Sequence, residues 1–179
     1  MKSNRTAKVS IVRAAQRGAS LLESIAFLGI AAIVILGAVA LLLGGFSSAN
    51  SNRAETEVNA IRTGVKRLFM GQSASYGTAN MNATLINAKV FPTSLSMDTG
   101  TNAVNNAWNG AVTVVGATQN FLITYAAVPK SVCIDLVAAG GDWIGVKVNG
   151  GASLTMPVTP TAATTACNAA ANSIEWTGN

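Results

Sequence analysis

The thirty residues from Arg17 to Phe46 read RGASLLESIAFLGIAAIVILGAVALLLGGF. No charged residue occurs between Glu23 and Arg53, and Ile25 to Phe46 is almost wholly Ile, Leu, Val, Ala and Gly. A helix that crosses a hydrocarbon core needs about 20 such residues, so this stretch is long enough to span a membrane. Lys2, Arg5, Lys8, Arg13 and Arg17 precede it with no acid among them, and Arg53 alone follows closely. The positive-inside rule then keeps the N-terminus cytoplasmic and sends the chain beyond about residue 50 across the membrane.

That basic head accounts for the whole excess of positive charge. The 179-residue chain carries a formal net charge of +5, and 7 Lys/Arg balance 7 Asp/Glu after residue 18. The surface beyond the head therefore offers nothing to the phosphate backbone of a nucleic acid. Half of the residues are hydrophobic and only 11% are charged, which excludes intrinsic disorder. The chain has no His, so the usual general base, the Ser-His and Cys-His nucleophile pairs and the commonest metal ligand are missing.

Three readings of the head compete. A secretory signal would be cut near Ser48 or Ala49, but its apolar core would exceed the usual 7–15 or so residues and carry an acid at its front edge. A plain membrane anchor needs no cleavage. The third reading turns on Glu23, since a carboxylate at the edge of an apolar span costs up to about 3 kcal/mol and needs a reason. One reason is local: Ser20-Leu-Leu-Glu23 fits a capping box, and an acid in the first turn suits the helix dipole.

The string Arg17-Gly18-Ala19-Ser20-Leu21-Leu22-Glu23 also resembles the prepilin processing site of type IV pilins, in particular the type IVb pilins of the bundle-forming and conjugative kind. The resemblance implies that a prepilin peptidase cuts between Gly18 and Ala19, leaving Glu23 as the fifth residue of the mature chain. It implies an assembly role for Ala19 and Glu23, in which the carboxylate of one subunit neutralises the new α-amine of its neighbour. It further implies a homopolymer built by inner-membrane assembly machinery with a cytoplasmic ATPase. The family pattern includes methylation of the new N-terminus, for which Ala19 is an unusual residue. Expected domains are a leader at 1–18, an apolar membrane and filament-core helix at 19–52 and an exported globular domain at 53–179.

Beyond the span, Ala54, Val58, Ile61, Val65 and Leu68 recur at helical spacing and Phe69 widens the stripe. The opposite face is expected to carry Arg53, Glu55, Glu57, Arg62, Lys66 and Arg67. The helix is thus predicted from Ala19 to about Met70, with Gly44-Gly45 and the polar run 47–52 as places where it could loosen. Residues 72–108 read as irregular apart from a short helix near Asn82 to Lys89. Ala111–Val115 and Asn120–Ala126 read as a hairpin joined by Gly116–Gln119. A helix is predicted over Pro129–Ala139 with Ser131 as its N-cap, then a strand over Trp143–Val148. Thr159-Pro160 should open a small helix, and Ser173–Thr177 should form a last strand. The fold class is α+β: a long N-terminal helix on an antiparallel sheet. The family pattern adds a disulfide-bounded C-terminal region.

Cys133 and Cys167 are the only cysteines, and two cysteines in an exported segment are expected to pair. No phosphate loop, zinc spacing or nucleophile elbow is present. The acids after the span are too scattered for a catalytic pair or a calcium loop, so no catalytic residue, cofactor or metal is expected. Trp108, Trp143 and Trp176 would suit a carbohydrate-binding face if exposed, or packing if buried. The expected function is the major structural subunit of a type IVb pilus, serving adhesion, aggregation or mating contact. Its alternatives are a minor pilin, a secretion pseudopilin or a non-polymerising single-span periplasmic binding domain.

Overall fold

The structure, a computed structural model, describes residues 20–71 and 75–179. The cleavage pair Gly18-Ala19 lies outside the described residues. The chain divides into two units, Met1–Leu42 and Leu43–Asn179. The helix α1, Leu21–Leu68, begins in the first and ends in the second. It stays helical through Gly44-Gly45, where the sequence allowed for loosening.

In the second unit, six strands and three short helices follow the end of α1. They are α2 (Asn82–Asn87), β1 (Ser96–Asp98), β2 (Ala103–Asn105), β3 (Val112–Ala117), β4 (Asn120–Pro129), α3 (Lys130–Ala138), β5 (Gly145–Val148), α4 (Pro160–Ala166) and β6 (Ala171–Gly178). The main sheet has the order β3-β4-β6-β5, antiparallel throughout. The last strand therefore returns to the middle of the sheet. Alternating burial puts Val112 and Val114 of β3, Phe121, Ile123 and Tyr125 of β4, and Ile174 and Trp176 of β6 on the inner face. They share one core with Ala54, Val58, Ile61 and Val65 of α1, the stripe read from the helical spacing.

Several local expectations are corrected. The hairpin turn is tighter than Gly116–Gln119: β3 runs on through Gly116 and Ala117, and Thr118 takes a positive φ so that Ala117 faces Asn120. β4 continues past Ala126 to Pro129 across a register shift at Ala126-Ala127, where Ala127 has φ 55°. Ser131 does not cap α3; it lies inside the helix, and Pro129 occupies the cap with no side-chain bond. The fifth strand begins at Gly145, after Trp143. Thr159 does cap α4, its Oγ1 accepting from the Ala162 N–H at 3.3 Å with Pro160 in the first turn.

The stretch read as irregular contains the small sheet β1–β2, and its neighbours close the β3 edge. Met81 N–H donates to Val114 O at 2.8 Å, Gly116 N–H to Ala79 O at 3.0 Å and Tyr76 N–H to Thr118 O at 2.7 Å. A Cβ on Gly116 would lie 2.1 Å from Tyr76 O, so only glycine admits this approach. At the other edge, Leu154 N–H donates to Val146 O of β5 at 2.8 Å. Covered edges remove the row of open backbone groups that invites strand-to-strand aggregation.

Candidate functional site

Two features distinguish this chain from an ordinary soluble domain: its apolar N-terminal helix and its disulfide-closed region. From Leu21 to Leu42 every side chain is exposed except that of Ala31, which is half-buried. Leu21, Leu22, Phe27, Ile33 and Leu41 are all large apolar groups in open solvent. Soluble monomers seldom expose apolar patches beyond a few hundred Å², so lipid or protein must cover this one. Helix entry is set by Ser20, whose Oγ accepts from the Glu23 N–H at 3.2 Å. This is one half of the capping box read from the sequence. Glu23 itself sits exposed in the first turn, where the helix dipole favours a negative charge.

The Cys133–Cys167 disulfide joins α3 to the residue that ends α4, with Cα atoms 5.9 Å apart and both residues fully buried. It closes a loop that contains β5. Asn149, at the end of that loop's strand, donates to Asn172 Oδ1 at 2.9 Å and accepts from Ser173 N–H at 2.9 Å.

The polar face of α1 needs two corrections. Glu57, expected in solvent, is 3% exposed. It turns inward because the irregular segment packs on that flank: Ser94 Oγ donates to its carboxylate, and Arg53 Nε donates to it at 3.0 Å. Arg53 also donates to the Ser94 carbonyl. The buried Tyr125 lies close by. Burial, and then the Glu57 charge, push the Tyr125 phenol well above its usual range, so it stays neutral. Arg62 is the second correction. It is largely buried, with its guanidinium 4.9 Å over the Trp143 ring, and it pairs with Asp142 at 2.6 Å. That hydrogen bond, then the Arg62 charge, hold the exposed Asp142 carboxyl below its ordinary value.

Replacing Glu57 by Ala should cost about 2–3 kcal/mol, because Ser94 and Arg53 lose their acceptor beside a buried phenol. Glu57→Gln keeps an acceptor oxygen in place and should recover at least half of that loss. Thermal unfolding of the two variants beside the native chain checks this; an Ala variant as stable as the native chain would show that the buried carboxylate is dispensable.

Trp143 and Trp176 are buried and packed together, with ring centroids 6.2 Å apart, and Trp176 meets Tyr125 edge-on at 5.8 Å. Trp108 is half-buried against the same core, so the three rings do not share an exposed face. Among the described residues no group of three or more His, Cys, Asp or Glu gathers where a metal ion could sit.

The family model described as PilS N terminal matches residues 48–179, nearly the whole of the second unit. The chain belongs to the PilS N-terminal family. Across most of its length it is also similar to the major structural subunit of bundle-forming pilus of Escherichia coli O127:H6 (strain E2348/69 / EPEC). That likeness is 25% identity over 172 residues, covering 85% of this chain and 88% of the relative. The fold is that of the type IV b pilin from Salmonella typhi, with a TM-score of 0.57 at 23% identity over 69% of this chain and 98% of that one. TcpA, a type IV pilin from Vibrio cholerae El Tor biotype, superposes with a TM-score of 0.54 at 14% identity, covering 73% and 99%. The resemblance first carried by the Gly18–Glu23 motif thus holds at the level of family and fold. By both, this is a type IV pilin subunit, with the disulfide where the pilin pattern placed it.

Proposed function

We propose that this pilin is the major, polymerising subunit of a type IVb pilus. It is made as a prepilin with residues 1–18 as leader. A prepilin peptidase cuts between Gly18 and Ala19. Residues 19–52 hold the subunit in the inner membrane, N-terminus cytoplasmic, with 53–179 in the periplasm. Assembly machinery driven by a cytoplasmic ATPase then moves the subunit into a surface homopolymer that serves adhesion, aggregation or mating contact.

The observation that supports this reading is the bare apolar helix from Leu21 to Leu42 on a chain whose second unit is a packed domain with seven Lys/Arg against six Asp/Glu. Such a helix can exchange lipid for a bundle of identical helices at little cost, because both surroundings are apolar and packing contacts tip the balance. The similar bundle-forming pilus protein, a major structural subunit by name, favours the major over the minor pilin.

Mass spectrometry of the mature N-terminus tests the scheme. A chain that begins at Ala19 is expected. One that begins after Ala49 marks a secreted protein, and one that begins at Met1 marks an anchor. In the same assay Gly18→Ala should reduce cleavage at least tenfold, because the added methyl must enter a protease site shaped for glycine. Full-rate processing of that variant would remove prepilin peptidase from the scheme.

A further inference from the structure

Within the second unit, three ion pairs form among the described residues: Arg53–Glu57, Arg62–Asp142 and Lys147–Glu175. Asp98 is satisfied by its own turn, accepting from Gly100 N–H and Thr101 Oγ1. Two carboxylates are left without a basic partner, and they are neighbours. Glu55 of α1 and Asp135 of α3 line one hollow of about 330 Å³, with Ser48, Ser51 and Asn52 as its polar wall. Ser51 Oγ donates to Asp135 at 3.4 Å, which places Asp135 at the level of Ser51 on the helix.

The other flank of α1 carries the opposite charge. There Arg67 lines a shallow groove with Thr56, Ala60, Thr63 and Val90, and the exposed Lys89 adjoins Val90 in the chain. Arg67 has no carboxylate partner among the described residues. Twelve positions separate Glu55 from Arg67, which sets them about 120° apart around the helix and about 18 Å apart along it. A single copy cannot bring the two together. Two copies can.

We propose that the Glu55–Asp135 hollow of one copy receives Arg67 of a second copy. The inference rests on the polymerisation proposed above and names a contact within it. Both halves lie on the same chain and on different flanks, so the contact is heterologous, and with an axial offset between copies it repeats without closing. Charge balance after residue 18 leaves no net repulsion between copies to oppose it. The long guanidinium stem can enter a hollow of this size and meet two carboxylates, with hydroxyl and amide groups at the wall for its remaining donors. For parallel helices the Arg67-to-Glu55 and Arg67-to-Ser51 separations set the stagger between contacting copies at about 18–24 Å. Lys66 and Arg67 also suit the C-terminal end of the helix dipole, a purely intramolecular role that would change stability and leave copy-to-copy contacts alone.

The test uses the full-length chain expressed in its native cell. Glu55→Cys and Arg67→Cys are placed in one chain. Within a copy these positions are too far apart for a short linker, and the native cysteines are paired with each other, so a bismaleimide whose spacer matches the length of the removed Arg and Glu side chains can only join two copies. Sheared filaments treated with it should give a ladder of dimers and higher multimers on a denaturing gel, absent from either single-cysteine variant. In parallel, Arg67→Glu should cut filament number at least tenfold at equal subunit level. Adding Glu55→Lys and Asp135→Lys to that chain should restore at least half. Filaments without a ladder overturn the contact, as does a wild-type filament count from Arg67→Glu. Should Arg67→Glu lower the subunit level itself, the ladder alone decides. Loss of filaments in Glu55→Lys beside a neutral Arg67→Glu would mean that the hollow takes another partner, and would also overturn it. Absence of filaments from the wild-type chain would instead sink polymerisation, leaving the two failures distinct.

Discussion

Cys133→Ser should lower the unfolding free energy of the second unit by about 3.5–4 kcal/mol, the chain-entropy value for a closed loop of this length. The sequence separation of the pair is 34. Small domains are stable by only about 5–15 kcal/mol in total, so the loss is a large share. The geometry argues for the full value. Both sulfurs are buried, and the closed loop contains β5, an edge strand of four residues held by β6 on one side and by the Leu154 bridge on the other. Without the bond, α3 and α4 keep only their packing. The consequence in the cell should be low subunit abundance, because a domain that opens more often is removed by proteases. Urea unfolding of the detergent-solubilised chain, with and without reductant, provides the measurement. Reduced wild type and Cys133→Ser should unfold together, well before the oxidised chain. A midpoint unchanged by reduction would show that packing alone holds the region.

The sequence was most legible where one physical signal dominated. The apolar run and the Ala54–Val58–Ile61–Val65 stripe gave α1 and its buried face, because helical period and membrane length leave few alternatives. β-branched runs gave the hairpin, and Thr159-Pro160 gave α4. What escaped was settled by tertiary neighbours. Glu57 belongs to the polar face by type, yet lies inside because Ser94, thirty-seven positions away, brings a hydroxyl to it. The Asn-rich stretch looked like loop, but its asparagines replace backbone partners. Asn82 donates to Val112 O at 2.9 Å and accepts from Val114 N–H at 2.9 Å, and Asn106 Oδ1 accepts from Trp108 and Gly110 N–H. A buried amide side chain has the donor and acceptor of a peptide unit, so it can finish an edge strand that no strand covers. Nothing in local composition separates such an Asn from one in solvent. Asn80-Met-Asn82, ahead of a short helix with a β-branched run after it, was the one available hint. Of the candidate site, the Ser20 cap and the disulfide were legible and are present. The contact proposed between Ala19 of one copy and Glu23 of another would involve two copies, which no single chain can display.

Glu23→Gln should abolish or nearly abolish surface filaments while leaving cleavage, folding and membrane retention intact. Two roles for Glu23 make different demands on the side chain. As a member of the N-terminal cap it needs only an acceptor oxygen, and Gln is equally at home at that place in a capping box. The cap that does form uses the Glu23 amide and Ser20 Oγ, and the substitution leaves both untouched. Insertion should not suffer either, since a costly charge is removed from the edge of the span. As the counter-ion of a neighbour's Ala19 amine, Glu23 needs its charge. Inside a bundle of apolar helices the cation would stay unpaired, and removing one partner of a buried pair costs about 3–5 kcal/mol. That penalty recurs at every subunit added, so even its lower bound reduces each addition by roughly two orders of magnitude. Electron microscopy of sheared filaments, scored beside an immunoblot of the membrane fraction, separates the two. Few filaments at an equal subunit level are expected. Wild-type filament numbers would show that Glu23 serves only the start of its own helix, and the drive for assembly would then have to come from packing between apolar helices and between the folded second units of neighbouring copies.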